Sequence, residues 1–201
     1  IANAPHMPVH LGSMSESIRA VIERHAGAMH PGDVFVLNDP YHGGTHLPDV
    51  TVVTPVFDEA GTRLLFYVGS RGHHADIGGL TPGSMPPFSQ TIDDEGVAID
   101  NLKLVAGGRF DEAGMLALLS AGPHPARNPA QNIADLKAQV AANERGVQEL
   151  RRMVAQFGLP VVQAYMGHVQ DNAEESVRRV ITSLKDGAFE LALDNGACIR
   201  V

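Results

Sequence analysis

One cysteine, Cys198, is all that the 201-residue chain carries, so it has no internal disulfide framework, and this fits a reducing, cytoplasmic compartment. Long apolar runs are missing too. No stretch approaches the roughly 20 residues that a membrane-spanning helix needs. Positive charge is scarce: 15 Lys and Arg stand against 23 Asp and Glu, for a formal net charge of −8. A nucleic-acid surface depends on clustered cations and is not expected here. No GxSxG elbow, GxGxxG turn or P-loop occurs, so this segment should not bind a nucleotide in the usual Gly-rich manner, and any ATP chemistry would come from elsewhere. The chain opens on Ile1 without a signal region and closes on CIRV inside a strand-like run, which reads as an internal segment of a longer protein.

What is present suits a globular chain. Hydrophobic residues make up 44% and charged residues 19%, enough for one substantial domain or a smaller one with a helical appendage. Residues 1–12, with Pro5 and Pro8, read as extended, and His6 and His10 there read as structural rather than as ligands. Ser13, with Glu16 three positions on, predicts a capped helix reaching Met29 and closed by Pro31-Gly32. DVFVLND, Val50–Phe57 and Arg63–Gly69 are strand-like, and the Asp58-Glu59-Ala60-Gly61 connection predicts an antiparallel hairpin. Pro55 implies an edge strand or a bulge. The Gly- and Pro-rich run 77–87 reads as an ordered loop over a site, and 93–108 as one or two short strands. Asp111 caps a further helix.

The second half is helical. Apolar residues spaced by three, four or seven from Ile133 to Phe157 predict one long helix, and Gly158-Leu159-Pro160 separates it from a second over 161–185. Asp135, Gln139 and Asn143 form a polar row beside that stripe. After Gly187 the sequence predicts a β-hairpin with an Asn-Gly turn. The expected fold class is α+β: a mixed or antiparallel β region over residues 1–128, an antiparallel helical hairpin over 129–186, and the start of a further β region over 187–201.

Two short segments carry the chemistry. NDPYHGGTHLPD (Asn38–Asp49) and RGHHAD (Arg71–Asp76) hold four of the ten histidines, among glycines and prolines rather than in an amphipathic pattern. His46 and Asp49 are three apart, but Pro48 disfavours helix at Leu47, so they sit on a rigid turn entering a strand. Two histidines and a carboxylate suit a divalent ion such as Zn, Mn or Fe and leave positions open. His73 or His74 supplies the second imidazole. Adjacent residues of an extended chain point opposite ways, so one of the two faces the ion. A two-residue turn at Glu59-Ala60 would set Asp49 beside Ser70 and His46 opposite His73, which favours His73. Asp39 and Asp76 are candidates for a further ligand, an orienting group or a general base, and His74 for a catalytic role. Gly43-Gly44 and Gly78-Gly79 would let backbone approach a small ligand.

GDVFVLNDPYHGGTHLPDVTVVTPVF, GSRGHHADIGGLTPGSMPP and DLKAQVAANERGVQEL together resemble the hydantoinase B/oxoprolinase family over nearly the whole chain. The resemblance implies a B-type subunit or domain of an ATP-dependent cyclic-amide hydrolase, hetero-oligomeric with a hydantoinase A-type partner that binds ATP and phosphorylates the substrate. It implies a metal held by His46, Asp49 and a later histidine. The related ketone carboxylases offer a second outcome, and an assembly module without activity in isolation a third.

Overall fold

A computed structural model describes residues 8–201, so Pro5 and His6 lie outside the described residues. The chain divides into two compact units, one running through Arg151 and the other from Arg152 to Val201. The fold is α+β, as the sequence implied.

In the first unit, β1 (Val34–Leu37), β2 (Asp49–Phe57), β3 (Leu64–His73), β4 (Leu102–Ala106) and β5 (Arg109–Phe110) form one antiparallel sheet in the order β3-β2-β1-β4-β5. Helix α1 (Pro8–Arg24) covers one face. Helices α3 (Glu112–Leu119) and α4 (Pro129–Phe157), the latter through its portion in this unit, cover the other. Strand alternation divides the apolar residues between the faces. Phe35, Leu37 and Val53 pack with Val21 of α1, while Val34, Val36, Val50 and Val52 pack with Met115, Leu119, Ile133 and Leu136. The one-turn helix α2 (Ile92–Glu95) precedes β4.

The β2–β3 register departs from the sequence expectation. Asp49 pairs with His73 rather than Ser70, Thr51 with Arg71, and Val53 with Gly69. The connection is longer than two residues: the Asp58 backbone N–H donates to the Arg63 carbonyl at 2.9 Å, and its carboxylate accepts the N–H groups of Thr62 and Arg63. A bulge between Val56 and Phe57 shifts the pairing again. The net displacement is odd, and an odd shift exchanges the faces of a strand. Asp49 therefore shares its face with His73 and Arg71.

Two other expectations change. Residues 8–12 are helical, because proline is compatible with the first turn of a helix. Ser13 is not a cap; its hydroxyl donates back to the carbonyls of Val9 and His10. Of the two alternatives for Pro55, the bulge is the one observed: its strand is interior, and Pro55 pairs with Tyr67 just before the irregularity at Val56/Phe57. Asp111 does cap α3, accepting from the Gly114 N–H at 3.1 Å.

The second unit holds the end of α4, helix α5 (Leu159–Ser183) and the hairpin of β6 (Glu190–Ala192) and β7 (Cys198–Arg200). Pro160 occupies the first turn of α5, so that helix starts two residues earlier than expected. Gly196, at φ 84°, makes the turn of the Asn-Gly hairpin.

Candidate metal centre

The loop between β1 and β2 is fastened before any functional side chain is placed. Asn38 is fully buried; its amide donates to the carbonyls of Leu47 (2.8 Å) and Val97 (2.9 Å) and accepts the Ile99 N–H. Gly44 lies so close to this staple that a Cβ would sit 2.1 Å from the Asn38 carbonyl oxygen. Gly78 likewise presses on the His124 carbonyl, at 2.4 Å from where its Cβ would be. These glycines admit the chain's own backbone rather than a ligand.

The loop delivers His46 and Asp49 to the α1 face at the start of β2. The Asp49 carboxylate is 1% exposed and receives imidazoles from both sides. His46 Nδ1 lies 2.9 Å from its Oδ2, and His73 Nδ1 lies 3.1 Å from its Oδ1. The two imidazole rings are 5.3 Å apart, centre to centre. One donor atom from each of His46, Asp49 and His73 falls within 4.8 Å of the others, an arrangement that fits a divalent ion. Burial of the carboxylate fits the same purpose, since an ion would compensate its charge where water does not.

Beneath the cluster lies a residue that the sequence reading passed over. Arg71 reaches Thr51 Oγ1 (2.7 Å) with Nε, and Ser13 Oγ (2.6 Å) and Ser17 Oγ (2.7 Å) with its terminal nitrogens. Burial lowers the Arg71 pKa, and the Asp49 carboxylate pulls it back up. The guanidinium ties α1 to both strands. The available signal was its place two residues before His73, on the same face of the strand.

His73 and His74 part company. His74 is 2% exposed and turns to α4, with Nε2 3.1 Å from Gln139 Oε1 and Nδ1 3.0 Å from Asn132 Nδ2. A carbonyl oxygen at Nε2 and an amide donor at Nδ1 define the neutral Nε2–H tautomer. Burial lowers the His74 pKa, the Gln139 bond offsetting part of this. Gln139 also donates to the Val50 carbonyl (2.9 Å) and Asn143 to the Val52 carbonyl (3.0 Å), so these two members of the polar row of α4 are pinned to β2, while Asp135 accepts from Gln131 on its own helix.

Asp39 and Asp76 stand outside the donor cluster. Asp39 caps a 3-10 turn, Pro40–His42, through the Tyr41 N–H (2.9 Å), and its other oxygen is 2.7 Å from His42 Nδ1. Asp76 pairs with Arg127 at 2.8 Å and accepts the N–H groups of Gly78, Gly83 and Arg127, fixing the 77–87 loop. Burial acts to raise the Asp76 pKa, but these donors outweigh it and hold the carboxyl below the usual range.

An antiparallel hairpin whose open end gathers two imidazoles and a buried carboxylate under a covering helix forms a group that could hold a divalent ion. More specifically, the chain belongs to the hydantoinase B/oxoprolinase family, whose model matches residues 1–201. It is 49% identical over 192 residues to 5-oxoprolinase 1 of Arabidopsis thaliana, covering 92% of this chain and 15% of that protein. Caprolactamase subunit beta of Pseudomonas jessenii is 30% identical over 189 residues, 94% of this chain and 32% of that one. The crystal structure of the ATP-dependent caprolactamase from that organism superposes with a TM-score of 0.80 at 29% identity, over 94% of this chain and 32% of that chain. Nucleotide-free acetone carboxylase gives a TM-score of 0.67 at 25% identity, over 78% and 20% respectively. The chain thus spans a minor part of each relative. No helix among the described residues is long and apolar enough to cross a membrane.

Proposed function

We propose that this chain is the metal-centre region of a B-type subunit or domain that hydrolyses a cyclic amide activated by ATP, with His46, Asp49 and His73 holding a divalent ion. The observation that carries the reading is the approach of His46 and His73, through their Nδ1 atoms, to opposite oxygens of the buried Asp49. When bound, such an ion supplies Lewis acidity toward a carbonyl or phosphoryl oxygen and acidifies water. The chain's own part is to hold the ligands in place. Asn38 fixes the loop that bears His46, the strand pairing fixes His73 opposite Asp49, and the Arg71 cation stands near the carboxylate charge.

Amide resonance makes a lactam carbonyl a poor electrophile, so O-phosphorylation ahead of hydrolysis is chemically coherent. A hydantoinase A-type partner, or a corresponding region of a longer chain, would bind ATP; this segment lacks a P-loop. The subunit naming of caprolactamase supports a hetero-oligomer, and its cyclic amide supports the substrate class. A second reading, an alpha-type subunit of a ketone carboxylase, is favoured by the likeness to acetone carboxylase. Under the first reading, the complete protein with its partner releases phosphate and an amino acid from a lactam, independently of bicarbonate. Turnover that requires bicarbonate and a ketone would reject it. Ion content tests the centre separately: about one divalent ion per chain, lost in His46→Ala and Asp49→Ala, is the expected result.

A further inference from the structure

The sequence reads His10 as structural, but the fold brings its imidazole to the Asp49 carboxylate. Among the described residues its Nδ1 is buried without a hydrogen-bond partner. Its Nε2 lies 3.5 Å from Asp49 Oδ2, the oxygen that His46 approaches from the other direction at 2.9 Å. A buried carboxylate approached by a third imidazole at this distance is an arrangement that a shared cation would stabilise.

Its place is not accidental. His10, Ser13 and Ser17 lie three and four apart on one face of α1. Ser13 and Ser17 are clamped by Arg71, which stands two residues before His73 on the same face of β3. On β2 the corresponding row is Thr51, bound to Arg71, and then Asp49. The clamp sets the register of α1 on the hairpin and carries His10 to the Asp49 end. His10 lies outside the compact set formed by His46, Asp49 and His73, beside the carboxylate they share.

We propose that His10 is a fourth protein ligand of the ion, so that the centre is three imidazoles and one carboxylate, closed on one side by α1. The inference rests on the metal-centre reading above. Three imidazoles with a carboxylate still suit a divalent ion of the Mn, Fe or Zn type, and they leave fewer positions for water or substrate than the hairpin alone provides.

X-ray absorption of the chain loaded with cobalt(II) counts imidazole scatterers directly. Three in the wild type and two in His10→Ala are expected, with cobalt affinity weakened about tenfold or more. His10→Asp, which keeps a ligating atom, should recover most of that affinity, and circular dichroism of the ion-free variants should match the wild type. Two imidazoles in the wild type, or a count unchanged in His10→Ala, would overturn the assignment while leaving the His46–Asp49–His73 centre standing. A wild-type chain that takes up no cobalt would overturn that centre and this inference with it.

Discussion

The two faces of the sheet are built from the same strands but held by different forces. On the α4 face Val34, Val36, Val50 and Val52 meet Met115, Leu119, Ile133 and Leu136 in an apolar core, and Gln139, Asn143 and His74 lock helix to strand by buried hydrogen bonds. On the α1 face, Val21 against Phe35, Leu37 and Val53 gives way toward the start of β2 to Thr51, Arg71, Asp49, His46 and His73. One face supplies stability, and the other holds charge in a fixed place. Two adjacent histidines fall on opposite sides of this division because strand side chains alternate.

Substitutions on the two faces should therefore separate folding from ion binding. Leu136→Ala, at a 1% exposed position, should cost about 3 kcal/mol in urea denaturation while the folded fraction keeps its ion. Asp49→Ala is expected to weaken binding of a divalent ion by about 100-fold, measured by equilibrium dialysis. His74→Ala leaves Gln139 Oε1 without its donor and Asn132 with one bond fewer, and should cost about 2 kcal/mol of stability. If His74→Ala instead abolished ion binding without loss of stability, the division between the faces would fail.

A smaller effect comes from the loop anchor. The Asp76 carboxyl is held below its ordinary value, so its contribution is complete above the unfolded value near pH 4 and is lost as pH falls through the folded one. Asp76→Asn should lower stability at pH 7 by about 1 to 2 kcal/mol and flatten the decline below about pH 4, as followed by thermal melts across pH. Smallest of all, Arg178→Ala on α5 removes only an exposed pair with Glu174 and should change stability by about 0.3 kcal/mol.

Much of this organisation was legible in the sequence because it is local. Helix periodicity located α4 and α5, the Asp111 cap located α3, and the position of Pro48 before Asp49 showed a turn entering a strand. The opposite directions of His73 and His74 followed from the strand period alone. The register did not, because it depends on a turn closed by the Asp58 side chain and on a bulge at Val56, neither of which a count of residues shows. Arg71 and Gln139 were missed as parts of the frame around His73 and His74 for a related reason. Each acts across a distance in sequence, through α1 or α4, and apart from the place of Arg71 two residues before His73 nothing within its own segment distinguishes it from a polar surface residue. Asp39 and Asp76 carried the reverse difficulty: acidic residues in motif loops, they satisfy backbone N–H groups and neighbouring side chains instead of joining the cluster.

The division between the faces is tested most directly by the ion content of two neighbouring variants, His73→Ala and His74→Ala, each confirmed as folded by circular dichroism and measured beside the wild type. His73→Ala should lose the ion with stability nearly unchanged. His74→Ala should be less stable yet retain about one ion per folded chain. Retention in His73→Ala together with loss in His74→Ala would contradict the assignment of the metal centre to the α1 face.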